Sequence, residues 1–417
     1  MSGINVSPEA CARERARTEV AIVGGGMVGA TLALQLAAQA RIAPENITLV
    51  EPEPVEAPAP GSAFDLRVSA ISPGNRRLLE ELRAWQSMDH SRVAAYERMA
   101  VWQEATPPDS PDVLCFDAAE LGEPDLGSIV ENRNLQAALL ERCFEEGIAL
   151  RRSRLSALSC DERRATLTLE DGVLEAELVV GADGASSAVR RLAGIDHQAR
   201  GYRQQGIVAT VRSARPHQRT AWQRFLSTGP LALLPLASGE CSIVWSATDA
   251  FAEELKAMDD ARFNAALTQA SAGVLGALQL SGRRAAFPLQ RLAARHYVGQ
   301  RCVLVGDAAH VIHPLAGQGV NEGLQDAVAL AAALAQRPPR ENLGAARALQ
   351  RYARERRAGN ALMGGMVDTL NSLFTGAPAP LSALAAAGMG LVGRSAAARR
   401  LFFARAAGRG TAASPGR

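Results

Sequence analysis

The run Glu19-Val20-Ala21-Ile22-Val23, followed at once by Gly24-Gly25-Gly26-Met27-Val28-Gly29, constrains this chain more than any other segment. A short apolar stretch that stops on three glycines and resumes as the Ala- and Leu-rich run Ala30 to Ala40 predicts strand, tight turn and helix. Ile47-Thr48-Leu49-Val50 reads as the next strand and ends in Glu51, which closes a βαβ unit. In such a turn Gly24 permits the bend, Gly26 lets backbone amides approach a pyrophosphate, and Gly29 lets helix and strand pack closely. Glu51 stands 22 residues beyond Gly29 (51 minus 29), where an acid accepts hydrogen bonds from a ribose diol. Strand, glycines, helix and acid agree on a dinucleotide and leave open whether it is NAD or FAD.

Two later segments repeat the theme of a strand running into a glycine turn. Val179-Val180-Gly181-Ala182-Asp183-Gly184 leads into a predicted helix through Val189 and Arg190. Cys302-Val303-Leu304-Val305 leads into Gly306-Asp307, then a glycine-broken loop to Asn321, then a run with helical spacing from Gly323 to Leu330. Between these lie a proline-rich loop from Pro52 to Gly61, predicted helices over Gly74 to Trp85 and Asn134 to Glu145, and a strand at Met99 to Trp102. A hairpin is predicted from Ala165 to Leu178, strand-rich sequence from Ile207 to Val244, and a helix over Asp259 to Gln269.

A length of 417 residues, 47% of them hydrophobic, allows two or three globular domains. The net charge of +2 gives no reason to expect a nucleic-acid partner. The 6 cysteines lack metal-like spacing and read as reduced structural thiols of a cytoplasmic protein. Residues 1–17 hold no apolar core, against a secretory signal. The weakly polar stretch Leu381 to Gly393 is well short of the ~20 residues a spanning helix needs. With Leu401-Phe402-Phe403 among Arg394, Arg399, Arg400, Arg405 and Arg409, the segment 381–410 suits peripheral contact with the inner membrane or docking on a partner, and equally a helix packed on the protein's own core. His310 and His313 stand close enough to suggest a metal pair, but no carboxylate or cysteine set completes one, so no metal is expected.

Taken together, Gly24 to Gly29, Val180 to Ser187 and Val305 to His310 resemble the three fingerprints of the class A flavoprotein aromatic hydroxylases, the p-hydroxybenzoate hydroxylase family. The extension His313-Pro314-Leu315-Ala316-Gly317-Gln318-Gly319-Val320-Asn321 is similar to the ubiquinone-biosynthesis branch, as are Arg67 to Ser72, Val130-Glu131-Asn132, Gly229 to Leu236 and Arg351 to Arg357. The resemblance implies an α/β fold: a discontinuous Rossmann-like FAD-binding domain over 18–88, 119–192 and 289–345, an inserted β-rich substrate domain over 89–118 and 193–288, and a C-terminal helical region over 346–417. It assigns FAD contact to Gly24, Gly26, Met27, Val28, Gly29, Glu51, Arg67, Arg133, Asp183, Gly306, Asp307, Pro314, Gly317, Gly319, Val320 and Asn321. Pro314, Leu315, Gly317 and Gln318 would face the flavin ring, and a helix opening near Asn321 would aim its positive end at flavin N1 and O2.

The reaction this implies is monooxygenation of a polyprenylated phenol. FAD reduced by NAD(P)H or another electron donor reacts with O2 to form a C4a-hydroperoxide, and the distal oxygen passes to the ring. Cofactor chemistry of that kind requires no nucleophile triad, and no side chain is assignable as acid or base. The ring carbon attacked is not legible. Two other functions are consistent with the same fingerprints: hydroxylation of a soluble aromatic, and a FAD-binding scaffold in a biosynthetic complex.

Overall fold

The computed structural model describes residues 15–313, 318–338 and 341–374. The expectations placed on Pro314, Leu315 and Gly317, and on the segment 381–410, lie outside those residues.

The strand Arg15–Val23 sits inside a largely parallel sheet, because Val20, Ala21, Ile22 and Val23 bury side chains on both faces. Ile47–Val50 flanks it on one side and Gly172–Gly181 on the other, with Ala149–Arg151 and Cys302–Leu304 further out. The predicted hairpin arm and the second fingerprint strand prove to be one ten-residue strand, Gly172–Gly181. It pairs parallel with Arg15–Val23 along its length, and its burial alternates where its other neighbour is the antiparallel Ala165–Leu169 and becomes continuous where that neighbour is the parallel Cys302–Leu304. That change of period divides it into two elements in the sequence.

Val23, Val50, Gly181 and Leu304 end their strands on one edge, which places Gly24, Glu51, Asp183 and Gly306 side by side. The backbone ties this edge together: Gly24 N–H donates to Val50 O (2.9 Å), Ala182 N–H to Val23 O (2.8 Å) and Val305 N–H to Gly181 O (3.0 Å). Ligands of open α/β sheets collect at such an edge.

A second sheet of eight strands runs in the order His310–Val311, Leu278–Ala294, His197–Ser213, Cys241–Thr248, Gly229–Pro235, Thr220–Leu226, Arg98–Gln103 and Leu114–Asp117. The helices Asp249–Ala257 and Asp260–Ala270 cover it through Leu255, Phe263 and Leu267, packed on Ile243 and Trp245. The strand Leu278–Ala294 runs across position 288 and pairs with His310–Val311, directly after the third fingerprint. Both sheets are thereby fastened to the Gly306 turn. A small sheet, Val68–Ile71, Gly127–Glu131 and Ala94–Tyr96, packs through Val68, Ala70 and Ile129 on Leu234 and Leu236 of the large one.

The helix Gln318–Ala335 packs on Met27–Gln39 and on the long helix Ala346–Phe374. Cys143, Cys241 and Cys302 are buried and free, and burial pushes the Cys143 and Cys241 thiols up to about 12, which keeps them protonated. Among the described residues no helix is long and apolar enough to cross a membrane.

Candidate functional site

Three glycines of the first turn meet three different demands. Gly24 has φ +108°, and a Cβ there would lie 2.3 Å from Ala182 O, on the second fingerprint. At Gly29 a Cβ would lie 2.0 Å from Gly24 O, so helix and turn touch backbone to backbone. Gly26 is different: its backbone is extended (φ −69°, ψ 178°), and a Cβ would meet nothing within 4 Å. The space beside Gly26 is therefore open at the N-terminus of the helix Met27–Gln39, where a pyrophosphate would meet free N–H groups.

Val28 joins this turn to the third fingerprint. A Cβ at Gly306 would lie 3.3 Å from its methyl groups, and a Cβ at Gly323 would lie 2.6 Å from Val28 Cγ2. The side chain thus fills the gap between the Gly306 turn and the helix Gln318–Ala335, and Met27 and Val320 pack with it at the edge of the core. Arg190 adds a second link: its guanidinium donates to Ala308 O (2.8 Å) and Ala185 O (2.6 Å).

Asp307 makes no hydrogen bond or ion pair among the described residues, although the turn presents its side chain at the surface. Protein crowds it on most sides, so lost hydration raises its pKa, with His310 opposing and Asp326 adding to the rise. A carboxylate without a partner, at a strand end beside an open glycine cradle, fits the hydroxyl-rich ribityl and phosphate portion of FAD. The residues present therefore fit the cofactor the sequence implies.

Other expected contacts are occupied by the protein itself. The carboxylate of Asp183 caps the helix Ala188–Leu192, accepting from Ser187 Oγ (2.5 Å), Ala188 N–H (2.7 Å) and Val189 N–H (3.1 Å). Glu51 Oε2 accepts from Gly25 N–H (2.8 Å), which leaves the carboxylate oriented by the turn it faces. Arg133 is exposed and donates to Glu56 O (2.6 Å) in the proline-rich loop. Arg67 is also exposed, its carbonyl taking Asn132 N–H at 3.0 Å.

The helix expected to open near Asn321 is present. The helix opens at Gln318, one turn earlier, and Asn321 is buried within it. Its Oδ1 accepts from Ser72 N–H (3.0 Å) and Asn75 Nδ2 (2.8 Å), while its Nδ2 donates to Ala70 O (2.8 Å). The amide thus braces the helix Gln318–Ala335 against both the strand Val68–Ile71 and the start of the helix Pro73–Glu81. Gly319 has no atom within 4 Å of a Cβ, so the helix's first turn stays open.

His310 and His313 have different surroundings. His310 Nε2 meets Asp326 Oδ2 at 2.6 Å, and its ring stacks on Tyr297. His313 is fully buried with its ring at the edge of Tyr202, 4.9 Å between centroids, and neither ring nitrogen has a partner among the described residues. Burial pushes the His313 pKa down to about 4, against the pull of Asp368. Because the folded pKa is depressed, only the unfolded chain takes up this proton as pH falls from about 6.5 toward 4, and stability drops across that window. His313→Gln removes the effect. Between pH 7.5 and 5 wild type should lose roughly 2 kcal/mol relative to the variant in urea unfolding of the FAD-free protein. A constant difference across that range would contradict a neutral buried His313.

Two clusters join residues that the sequence does not pair: Asp326 with His310 and Arg356 behind the third turn, and Arg92 with Glu131 at the end of the strand Gly127–Glu131. Of their members only His310 belongs to a glycine motif, and the partners lie 16 to 39 residues apart.

Because the first and third turns meet across Val28, one extended ligand lying along the edge can contact both, and the class this defines is an FAD-dependent flavoprotein. The chain belongs to the FAD binding domain family, which matches residues 17–363. It is 37% identical to the ubiquinone hydroxylase UbiL of Rhodospirillum rubrum, over 94% of this chain and 89% of that one. It is 39% identical to the 3-demethoxyubiquinol 3-hydroxylase of Escherichia coli, over 87% and 92%. Its fold is similar to the crystal structure of p-nitrophenol 4-monooxygenase from Pseudomonas putida, with a TM-score of 0.72 at 17% identity, covering 94% of this chain and 98% of that one.

Proposed function

We propose that this protein is an FAD-dependent monooxygenase that hydroxylates the aromatic ring of a polyprenylated phenol in ubiquinone biosynthesis. The observation that carries the reading is the span of the similarity. Identity of 37–39% to two ubiquinone-pathway hydroxylases covers 87–94% of the chain, so it takes in the eight-stranded sheet as well as the cofactor edge. When bound, FAD supplies the oxidising chemistry: electrons from NAD(P)H or another donor reduce O2, one atom of which enters the ring.

The chain's own residues position and exclude. Gly24 to Gly29 seat the pyrophosphate, Asp307 accepts hydrogen bonds from cofactor hydroxyls, and Arg67 and Arg133 reach the site from its rim. By the family resemblance, the residues Pro314 to Gly319 would contact the flavin ring. Where the large sheet faces the helix Ala346–Phe374, Met99, Val101, Leu114 and Phe225 pack with Met363, an apolar surface that keeps water from the reaction and tolerates an isoprenoid tail. Membership of a ubiquinone-biosynthesis complex, and peripheral membrane contact through 381–410, belong to the same reading.

Purified holoenzyme given a polyprenylphenol in detergent micelles, a donor and 18O2 should yield product with one added 18O per ring, read by mass spectrometry. Faster turnover of a water-soluble phenol would overturn the substrate assignment. FAD binding without substrate-dependent O2 consumption would instead favour a scaffold.

A further inference from the structure

Asp326 lies on the helix Gln318–Ala335 with no solvent exposure, yet it carries a charge that the active-site reading does not use. Its Oδ2 accepts from Gly306 N–H (2.9 Å) and faces His310 Nε2 (2.6 Å), so one oxygen holds both ends of the five-residue turn that contains Asp307. Its Oδ1 accepts from Arg356 Nε (2.6 Å) and Asn360 Nδ2 (3.4 Å), both on the helix Ala346–Phe374. Arg356 Nη2 in turn donates to Glu322 Oε2 (2.7 Å) and to Asn360 Oδ1 (2.9 Å).

A buried carboxylate survives only when it is paired and hydrogen-bonded. Here burial opposes ionisation of Asp326, but His310 and Arg356 outweigh it and hold the pKa below the usual range. Burial likewise disfavours charged His310, and Asp326 outweighs it and raises that pKa. The Tyr297 ring, stacked on His310 at 6.0 Å, fixes the imidazole plane. The two ends of the turn are therefore tied to Asp326, which the helix Ala346–Phe374 holds in turn, while Asp307 between the two anchors keeps its carboxylate unpaired.

We infer that Asp326, clamped by Arg356, is a positioning residue that fixes the Gly306 to His310 turn and so aims Asp307 at the cofactor. The inference rests on the reading that Asp307 meets FAD. It makes Asp326 act through Asp307, without touching the cofactor, and makes the C-terminal helix a participant in cofactor binding.

The test compares Asp326→Asn, Asp307→Ala and Tyr352→Phe. The last removes a buried hydrogen bond to Leu304 O (2.8 Å), two residues before the turn, and that hydroxyl bonds to none of Asp326, His310 and Arg356. FAD titration by fluorescence quenching, the visible flavin spectrum and the flavin midpoint potential are read in each. Asp326→Asn should weaken FAD about tenfold, the scale on which partners that orient a ligating group act, and should shift spectrum and potential in the same direction as Asp307→Ala. Tyr352→Phe should lower the melting temperature and leave all three unchanged. If Asp326→Asn is recovered unfolded, His310→Gln decides, since it keeps a donor toward Asp326 but no charge; it should weaken FAD at least about threefold. FAD affinity and spectrum within twofold of wild type in the deciding variant, or an equal loss in Tyr352→Phe, would overturn the inference. An unchanged affinity in Asp307→Ala would remove the site reading and the inference together.

Discussion

Gly29→Ala is expected to give a protein that is strongly destabilised and does not retain FAD. The added Cβ would stand 2.0 Å from Gly24 O and 3.1 Å from Gly24 C, and both atoms belong to backbone fixed by the Val50 carbonyl and by Ala182. No rotamer relieves that contact. Either the helix Met27–Gln39 lifts from the strand edge or the turn opens, and both motions undo the buried packing of Ala30, Leu32 and Ala33. Overpacking of this kind costs typically 1–3 kcal/mol where side chains can yield, so about 3 kcal/mol is the lower bound where only backbone can. Gly26→Ala is the contrast that makes the result diagnostic. Its backbone is already extended and its Cβ would meet nothing within 4 Å, so the FAD-free variant should unfold at the wild-type urea midpoint. Its FAD affinity should nevertheless fall about a hundredfold, at about 1.4 kcal/mol per factor of ten, because the methyl occupies the space a pyrophosphate would enter. Tight binding by Gly26→Ala would show that the open space beside Gly26 is not where the phosphates lie.

What the sequence made legible follows from how local each signal is. The first turn is contiguous: strand, glycines and helix lie within Arg15 to Gln39, and each glycine's role can be read from the neighbours a βαβ unit supplies. Gly172–Gly181 was harder because it pairs with two kinds of neighbour along its length, so its pattern changes from alternating to continuous midway. The Gly306 motif was legible as a turn, while the reason it sits against the first turn was not. That reason is Val28 fitting where neither Gly306 nor Gly323 has a side chain, a contact between residues nearly 300 positions apart.

Side-chain roles were less legible than backbone turns for a related reason. A motif specifies where a residue stands, and its polar atoms then bond to whichever groups the fold brings near. Asn321 stands in the third motif, yet the small sheet delivers Ala70, Ser72 and Asn75 to it, and they take both ends of its amide. Asp183 stands at a strand end like Asp307, but the chain after it turns at once into a helix whose first N–H groups need an acceptor. Asp307 is left unpaired because Asp326 has already taken Gly306 N–H and His310. Which acid is free for a ligand is thus decided by partners that no local spacing encodes.

Arg92→Met is the second large effect expected, and it tests whether the loop before Arg67 is held from within. Arg92 and Glu131 are 5% and 1% exposed, joined by two N–H to oxygen contacts of 2.5 and 2.8 Å. The same guanidinium donates to Ser62 O (3.0 Å) and Ala63 O (3.1 Å) and lies 4.4 Å over the Phe64 ring, while Glu131 Oε1 accepts from Asp65 N–H. Four consecutive residues, Ser62 to Asp65, are therefore anchored to one ion pair, and Arg67 follows two positions on. Methionine matches much of the stem but leaves Glu131 buried without its cation, a loss of about 3–5 kcal/mol. Chemical denaturation of the FAD-free variant should show that loss, and FAD titration of the folded fraction should show weaker binding because the segment leading to Arg67 is released. Adding Glu131→Leu to Arg92→Met removes the stranded charge and should recover part of the stability, since a buried pair replaced by apolar groups is often neutral. It should not recover FAD affinity: Ser62 and Ala63 would still lack their anchor, and Asp65 would lose its own. A double variant that regains both would place the role of the pair in stability alone and detach the Arg67 loop from the cofactor site.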